Sequence, residues 1–266
     1  MTQFVKDLVR TQKREADQRR LCMAADIEQY GRLDTPGQGG VQADLVRGLT
    51  EAAELSGLDR LDWARQGQGD QEFAVLPPGT LEPVVLADFV RNLAAWLRQR
   101  NAGHAWEERM RLRLAIDAGV AHAAALGHSG PAPVAVARFL SAPELKSVLA
   151  ALDAAPLAVI VSDRLYQDVV RSRTRGLDPD QYLRVHVSQK EFRGYGWLHV
   201  PGHVTRDLLT LLNGPSSVGN PPVLSPGPRD ESQHVNEGVA FRGDVTGDVT
   251  FGYAPGRGSD LPAGSR

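Results

Sequence analysis

A single cysteine, Cys22, occurs in 266 residues. No internal disulfide can be drawn from it, which excludes the cross-linked architectures of small extracellular domains. Charge of one sign is missing too: the formal net charge is only −2. That leaves no bulk attraction to nucleic acid or to an anionic membrane. No apolar run approaches the roughly 20 residues that a membrane span needs. The first residues, Met1–Asp7, carry charge from Lys6 onward, with no apolar stretch of the secretory kind behind them. The expectations are a cytoplasmic protein with neither nucleic-acid nor membrane partners, and a buried Cys22 acting as a small hydrophobe.

What is present reads as interleaved strands and helices. Leu21–Ile27 is an apolar run ending in an acidic residue, the mark of a buried strand. Asp34-Thr35-Pro36-Gly37 is turn chemistry, and Gln38–Leu55 then shows helical periodicity closed by Gly57. Leu61–Arg65 and Glu72–Leu76 predict a hairpin across Gly67-Gln68-Gly69-Asp70, with an aspartate at its tip. Pro83–Arg100 predicts a second helix. Met110–His122 alternates apolar residues with Arg109, Arg111 and Arg113, which predicts a strand with one wet face. Gly127–Pro133 reads as a loop, Val134–Leu152 as a third helix, and Leu157–Val161 as a strand capped by Ser162 at the start of a short helix. Tyr182–Val187 and Tyr195–Val200 close the series as a hairpin stopped by Pro201-Gly202. Hairpins mixed among helices predict an α+β layer architecture with a mostly antiparallel sheet.

The domain boundaries that follow are a charged arm at 1–19, a domain at 20–202, a Pro/Gly-rich linker at 203–235 and a repeat segment at 236–253. Phe4, Leu8 and Val9 give the arm a weak helical stripe. Residues 214–228 hold five prolines and three glycines, too many for a core. Gly-Asp-Val-Thr then occurs twice, at 243–246 and 247–250. In an extended chain Val239, Phe241, Val245, Val249 and Phe251 share one face. A small hairpin, an unstructured tail and a self-stacking β segment are all open readings.

Two aspartates carry the chemistry. Asp26 closes the first strand and Asp70 sits at the hairpin tip. If the strand lies beside the hairpin, both carboxylates reach one sheet edge, and two hard oxygen donors there suit Mg²⁺ or Mn²⁺ holding triphosphate oxygens. Gly67 and Gly69 would let a phosphate chain approach the backbone closely.

Asp26-Ile27-x-x-Tyr30, Gly69-Asp70-x-x-Phe73, Ile116-Asp117-Ala118-Gly119-Val120, Gly130 to Ala137-Arg138, and Ile160-Val161-Ser162-Asp163 follow one another in that order. Over about residues 20–200 this resembles the class III adenylate/guanylate (nucleotidyl) cyclases. The resemblance implies a ferredoxin-like nucleotidyl cyclase fold and a homodimer whose site lies between two copies. It further implies Mg²⁺ or Mn²⁺ on Asp26 and Asp70, and phosphates cradled by the backbone from Ile27 to Tyr30. Arg138 from the partner copy would stabilise charge that develops as the ribose 3′-hydroxyl attacks the α-phosphorus. The base-selecting positions fall at Gln66 and Gly127, where the family's usual side chains are absent. The ribose-orienting asparagine is replaced by Val134, and the late phosphate-binding lysine is two residues off, at Lys190. The tail repeat resembles bacterial amyloid signalling segments, related in pattern to RIP homotypic interaction motifs, and implies a partner protein met through it.

Two functions follow. One is a divergent cyclase making cyclic nucleotide and pyrophosphate from an NTP. The other is an inactive nucleotide-sensing module that signals through self-assembly of its tail. Of the remaining residues, His199 and His203 straddle Pro201-Gly202 and read as structural, like the other histidines, and the four tryptophans read as core or interface.

Overall fold

The computed structural model of the chain describes residues 19–213. Of the arm expected at 1–19, Arg19 opens the first strand and the rest, like the tail repeat, lies outside the described residues. Among the described residues nine strands form: β1 (Arg19–Ile27), β2 (Ala64–Gln68), β3 (Gln71–Val75), β4 (Leu112–Val120), β5 (His122–Ala124), β6 (Gly127–Ser129), β7 (Leu157–Ser162), β8 (Leu183–Gln189) and β9 (Phe192–His199). Seven of them make one sheet in the order β2-β3-β1-β4-β7-β9-β8. Every neighbouring pair is antiparallel except β4–β7. β5 and β6 form a separate small ribbon. The architecture is therefore α+β with a mostly antiparallel sheet.

The helices are α1 (Thr35–Leu55), α2 (Val90–Asn101), α3 (Pro131–Leu140), α4 (Pro143–Ala151), α5 (Asp163–Asp168) and α6 (Thr205–Asn213). A π-helical turn, Val84–Phe89, leads into α2. The stretch around Asp34 is a helix start rather than a free turn: Asp34 accepts a hydrogen bond from the Gly37 amide at 2.9 Å, and Pro36 sits in the first turn. The segment expected as one helix over Val134–Leu152 is two, because Ala142 precedes Pro143 and is forced out of the helical region (φ −59°, ψ 130°). The expected loop at 127–133 is divided between β6 and the start of α3. The first hairpin is also tighter than its composition suggests, since β2 runs to Gln68 and only Gly69-Asp70 turn. α6 falls inside the span expected to be linker, and its Leu208 is fully buried.

Side chains alternate across the sheet and separate two cores. On one face Leu21, Met23, Ala25 and Ile27 of β1, with Leu112, Leu114 and Ile116 of β4, pack under α1, α2 and α5. Gly48, in the middle of α1, is needed for close helix approach, because a Cβ there would stand 2.7 Å from the Trp96 ring. On the other face Cys22 and Ala24, with Ala115, Ala158 and Ile160, pack under α3 and α4. β4 thus has no wet face: both its sides are covered, and of the arginines that suggested one Arg111 is buried and Arg113 nearly so, while Arg109 is exposed but lies before the strand. Arg111 is 5% exposed and pairs with Glu28 at 3.2 Å, so carboxylates rather than water satisfy the alternation.

Candidate functional site

Antiparallel pairing of β1 with both β3 and β4 brings the chemistry together. Asp26 stands opposite Gln71 on one side and Arg113 on the other. The Asp70 carbonyl, at the β2–β3 turn, accepts from the Ile27 amide at 3.0 Å. Asp26 and Asp70 therefore meet at one corner of the sheet. Gln42 of α1 fixes that corner, donating to the Tyr30 hydroxyl at 2.8 Å and to the Gly69 carbonyl at 3.0 Å.

Asp26 is 4% exposed and its carboxylate is held bidentately by Arg113, with both N···O distances 2.7 Å. Burial pushes its pKa up; Arg113 opposes that, the negative charge of Asp70 adds to it, and Lys146 opposes it from α4. Arg113 and Lys146 are the two cations that the sequence reasoning did not single out. Arg113 was legible in principle: an arginine in a central strand, in register with an aspartate on the next, is the pattern of a cross-strand ion pair.

The corner opens into a cavity of about 280 Å³ between the β1–β3–β2 surface and helices α3 and α4. Asp26, Gln66, Gln68, Gln71, Phe73, His128 and Lys146 are among its walls. Gln66 donates to the Leu126 carbonyl at 3.3 Å, and a Cβ at Gly127 would lie 2.2 Å from Gln66 Oε1. The two positions named for base selection thus touch each other, and Gly127 is left bare by that contact and by its φ of +116°.

Other named residues are placed differently. The Ile27 and Glu28 amides are already spent on the Asp70 and Arg111 carbonyls, so of the expected phosphate-cradling backbone only Gln29 and Tyr30 lack a backbone acceptor among the described residues. Arg138 is not at the Asp26–Asp70 corner. Its guanidinium donates to Glu191 at 2.7 Å in the β8–β9 turn, beside Lys190. Arg138 holds the Glu191 carboxyl below its usual range. Within one chain the site residues thus form two groups, Asp26/Asp70/Gln66/Gly127 and Arg138/Lys190. Val134, in the asparagine's expected place, is 45% exposed.

The donor chemistry of the corner suits a hard divalent cation that brings its own oxygen ligands. The Asp70 charge is near enough to act on the Asp26 carboxylate, while no group of three or more His, Cys, Asp or Glu side chains could cage a metal among the described residues. Mg²⁺ commonly uses one or two carboxylates and completes its shell with phosphate and water. Both oxygens of Asp26 are shared with Arg113, so a cation there competes with the guanidinium.

Asp117, of the Ile116-Asp117-Ala118-Gly119 segment, is fully buried away from this corner. It accepts from the Ala118 amide at 2.8 Å and pairs with Arg164 at 3.2 Å. Burial pushes its pKa up. Among the described residues its second oxygen meets no donor at hydrogen-bonding geometry.

Neither a protein-family model nor a curated protein matches the chain. Among solved structures it is similar to an adenylate/guanylate cyclase/hydrolase from Silicibacter pomeroyi, at 20% identity over 70% of this chain and 99% of that one, with a TM-score of 0.49. It is also similar to the guanylate cyclase domain from Catenaria anguillulae in complex with GTP, at 12% identity over 70% and 96%, TM-score 0.43. A third is a bacterial light-regulated adenylyl cyclase, at 11% identity over 73% and 96%, TM-score 0.46.

Proposed function

We propose that this chain is a divergent nucleotidyl cyclase-like signalling module that binds a nucleoside triphosphate with Mg²⁺ or Mn²⁺ as a homodimer. One observation carries the reading: Asp26 and Asp70, which are 44 positions apart in sequence, come to one sheet corner, with the Ile27 amide on the Asp70 carbonyl, beside a cavity walled by glutamine amides and Lys146. Asp26 and Asp70 would hold the cation, which when bound neutralises triphosphate oxygens and activates the ribose 3′-hydroxyl. The amides of Gln29 and Tyr30 would face the phosphates. Arg113 would exchange its carboxylate partner for a phosphate oxygen, which a planar guanidinium accepts equally well. Gln66, which both donates and accepts, would meet the base. Arg138 and Lys190, remote from the corner in their own chain, would serve the site of a second copy.

A second reading, an inactive nucleotide sensor that signals through its 236–253 segment and a partner protein, is favoured by one feature. Val134 has no group to orient a ribose, and loss of one preorganised polar contact costs on the order of 10²–10³ in rate.

The test is a panel of NTPs with Mn²⁺, read both by mass spectrometry and by thermal shift. Nucleotide-dependent stabilisation that disappears in Asp70→Ala is expected. Cyclic nucleotide with pyrophosphate identifies the enzyme, and stabilisation without product identifies the sensor. Indifference to every NTP defeats both.

A further inference from the structure

A second cavity, about 460 Å³ in volume, lies between the π-turn Val84–Phe89, α2 and the loop 175–182. It shares no wall residue with the first. We propose that it is a second ligand site, one that takes a phosphorylated small molecule carrying a hydroxyl group.

Three guanidinium groups reach its wall. Arg91 and Arg98 stand two turns apart on one face of α2, and Arg175 comes from the facing loop. Arg91 and Arg175 are both tied to Asp88, which is only 9% exposed. The Asp88 carboxylate orients both guanidinium groups, whose side chains are 60% and 49% exposed, and each keeps unused N–H donors. The three arginines outnumber Asp88 and Asp178, so the walls are net positive. Planar, fixed guanidinium pairs match phosphate oxygens bidentately.

The loop is bent to make this arrangement. Arg173 and Arg175 adopt left-handed backbone, with φ of +55° and +54°, which side chains other than glycine adopt at a cost of about 1–2 kcal/mol each. Nothing in their sequence favours that conformation, and its effect at Arg175 is to return the side chain to Asp88. The π-turn opposite is the other departure from regular geometry, and such turns recur at functional sites.

His199 supplies the polar contact that sets the ligand's second feature. It is 9% exposed, lines the cavity and stacks on Tyr182 with ring centroids 4.7 Å apart. Its Nδ1 lies 3.3 Å from the Gln181 carbonyl, which can only accept, so Nδ1 carries the proton. Nε2 is then an acceptor that no side chain or backbone donor meets among the described residues, and it is open to the cavity rather than sealed off as a buried orphan. Burial pushes the ring's pKa down and keeps it neutral. An acceptor in a mostly buried ring beside arginines calls for a ligand with a hydroxyl donor and an oxyanion. Leu86, Val90 and Ala94 supply an apolar wall between them. The volume suits a small metabolite rather than a bare ion.

The probe is ribose 5-phosphate, titrated into the full chain by calorimetry while the His199 ring nitrogens are followed by ¹⁵N NMR. Saturable binding with a shift at Nε2 is expected. Arg98→Ala, which leaves the Asp88 cluster in place, should weaken binding about tenfold, the usual effect of losing one charge-assisted contact. Asp70→Ala should leave it unchanged. No saturable binding, or binding that leaves the His199 signals still, overturns the proposal. Binding lost in Asp70→Ala but kept in Arg98→Ala assigns the sugar phosphate to the first cavity and overturns it too. Each outcome is independent of whether the first cavity takes an NTP.

Discussion

The two faces of the central strands are built to opposite rules. Under α1 and α2, β1 offers Leu21, Met23, Ala25 and Ile27, and β4 offers Leu112, Leu114, Ile116 and Ala118, all buried and apolar. Turned to α3 and α4, the same strands offer Arg20, Cys22, Ala24 and Asp26, with Arg113, Ala115, Asp117 and Gly119. One face stabilises by removing hydrocarbon from water. The other gives up part of that gain to keep charge inside the fold, and buried charge is costly unless each group is matched. Asp26 is matched by Arg113, while Asp117 and Arg20 both retain buried polar atoms without hydrogen-bond partners among the described residues. Along β1 and β4 the buried charge thus lies on one face and the hydrocarbon on the other, whereas β3 sends Glu72 to the α1 side, where Arg60 pairs with it.

The sharpest way to break that division is Arg113→Ala. It leaves the Asp26 carboxylate buried and alone, and removing one member of a buried ion pair costs about 3–5 kcal/mol. Chemical denaturation should read this loss. The double change Asp26→Leu with Arg113→Met should recover most of it, since apolar groups of similar volume replace both charges. A single Arg113→Ala variant as stable as the parent would mean that Asp26 is solvated in solution and the corner is not assembled as described.

Much of the fold was legible in the sequence because its strongest signals are local. The strand at 21–27, the helix through Val41 to Leu55 and the serine cap at 162 each depend on neighbours a few residues away and each is found, although Val46 and Leu55 of the expected apolar stripe face solvent. What escaped depended on partners far along the chain. The alternation of Arg111 and Arg113 at the start of β4 has the same pattern whether water or a carboxylate meets them, and only the pairing with β1 and the residues after it decides for Glu28 and Asp26. The same holds for the site. Asp26 and Asp70 were identifiable as residues of a type in a place, but that Arg113 would hold Asp26, or that Lys146 would face it from α4, required pairings 87 residues apart and more. The Asp88 cluster was illegible for the same reason, since Arg175 is 87 residues beyond it.

The complementary test falls on the apolar face. Leu93 of α2 is fully buried in that core. Leu93→Ala removes hydrocarbon and leaves a cavity, at a cost of about 3 kcal/mol. Measured under conditions where the variant is still folded, its NTP-dependent stabilisation should equal the parent's. A loss of nucleotide response comparable with that of Asp70→Ala would show that the two faces are coupled, and the division of labour would fall.

The smallest effect probes the chemical face through pH. Cys22 is fully buried between α3 and the sheet, and burial, with the Asp117 charge adding to it, pushes its thiol up to about 12 from an ordinary value of 9.0. The folded state therefore holds this proton more tightly than the unfolded chain does. That contribution to stability is complete below pH 9 and is lost as pH rises through about 12. Tyr182, also raised by burial, acts in the same direction, so the parent's stability alone does not isolate the thiol. The difference between parent and Cys22→Ala does, because Tyr182 is common to both. The two denaturation free energies should run parallel up to pH 9 and converge above it as the parent loses the thiol's share. Curves that stay parallel across that window would place Cys22 in contact with water, and the face under α3 and α4 would then be far wetter than its packing implies.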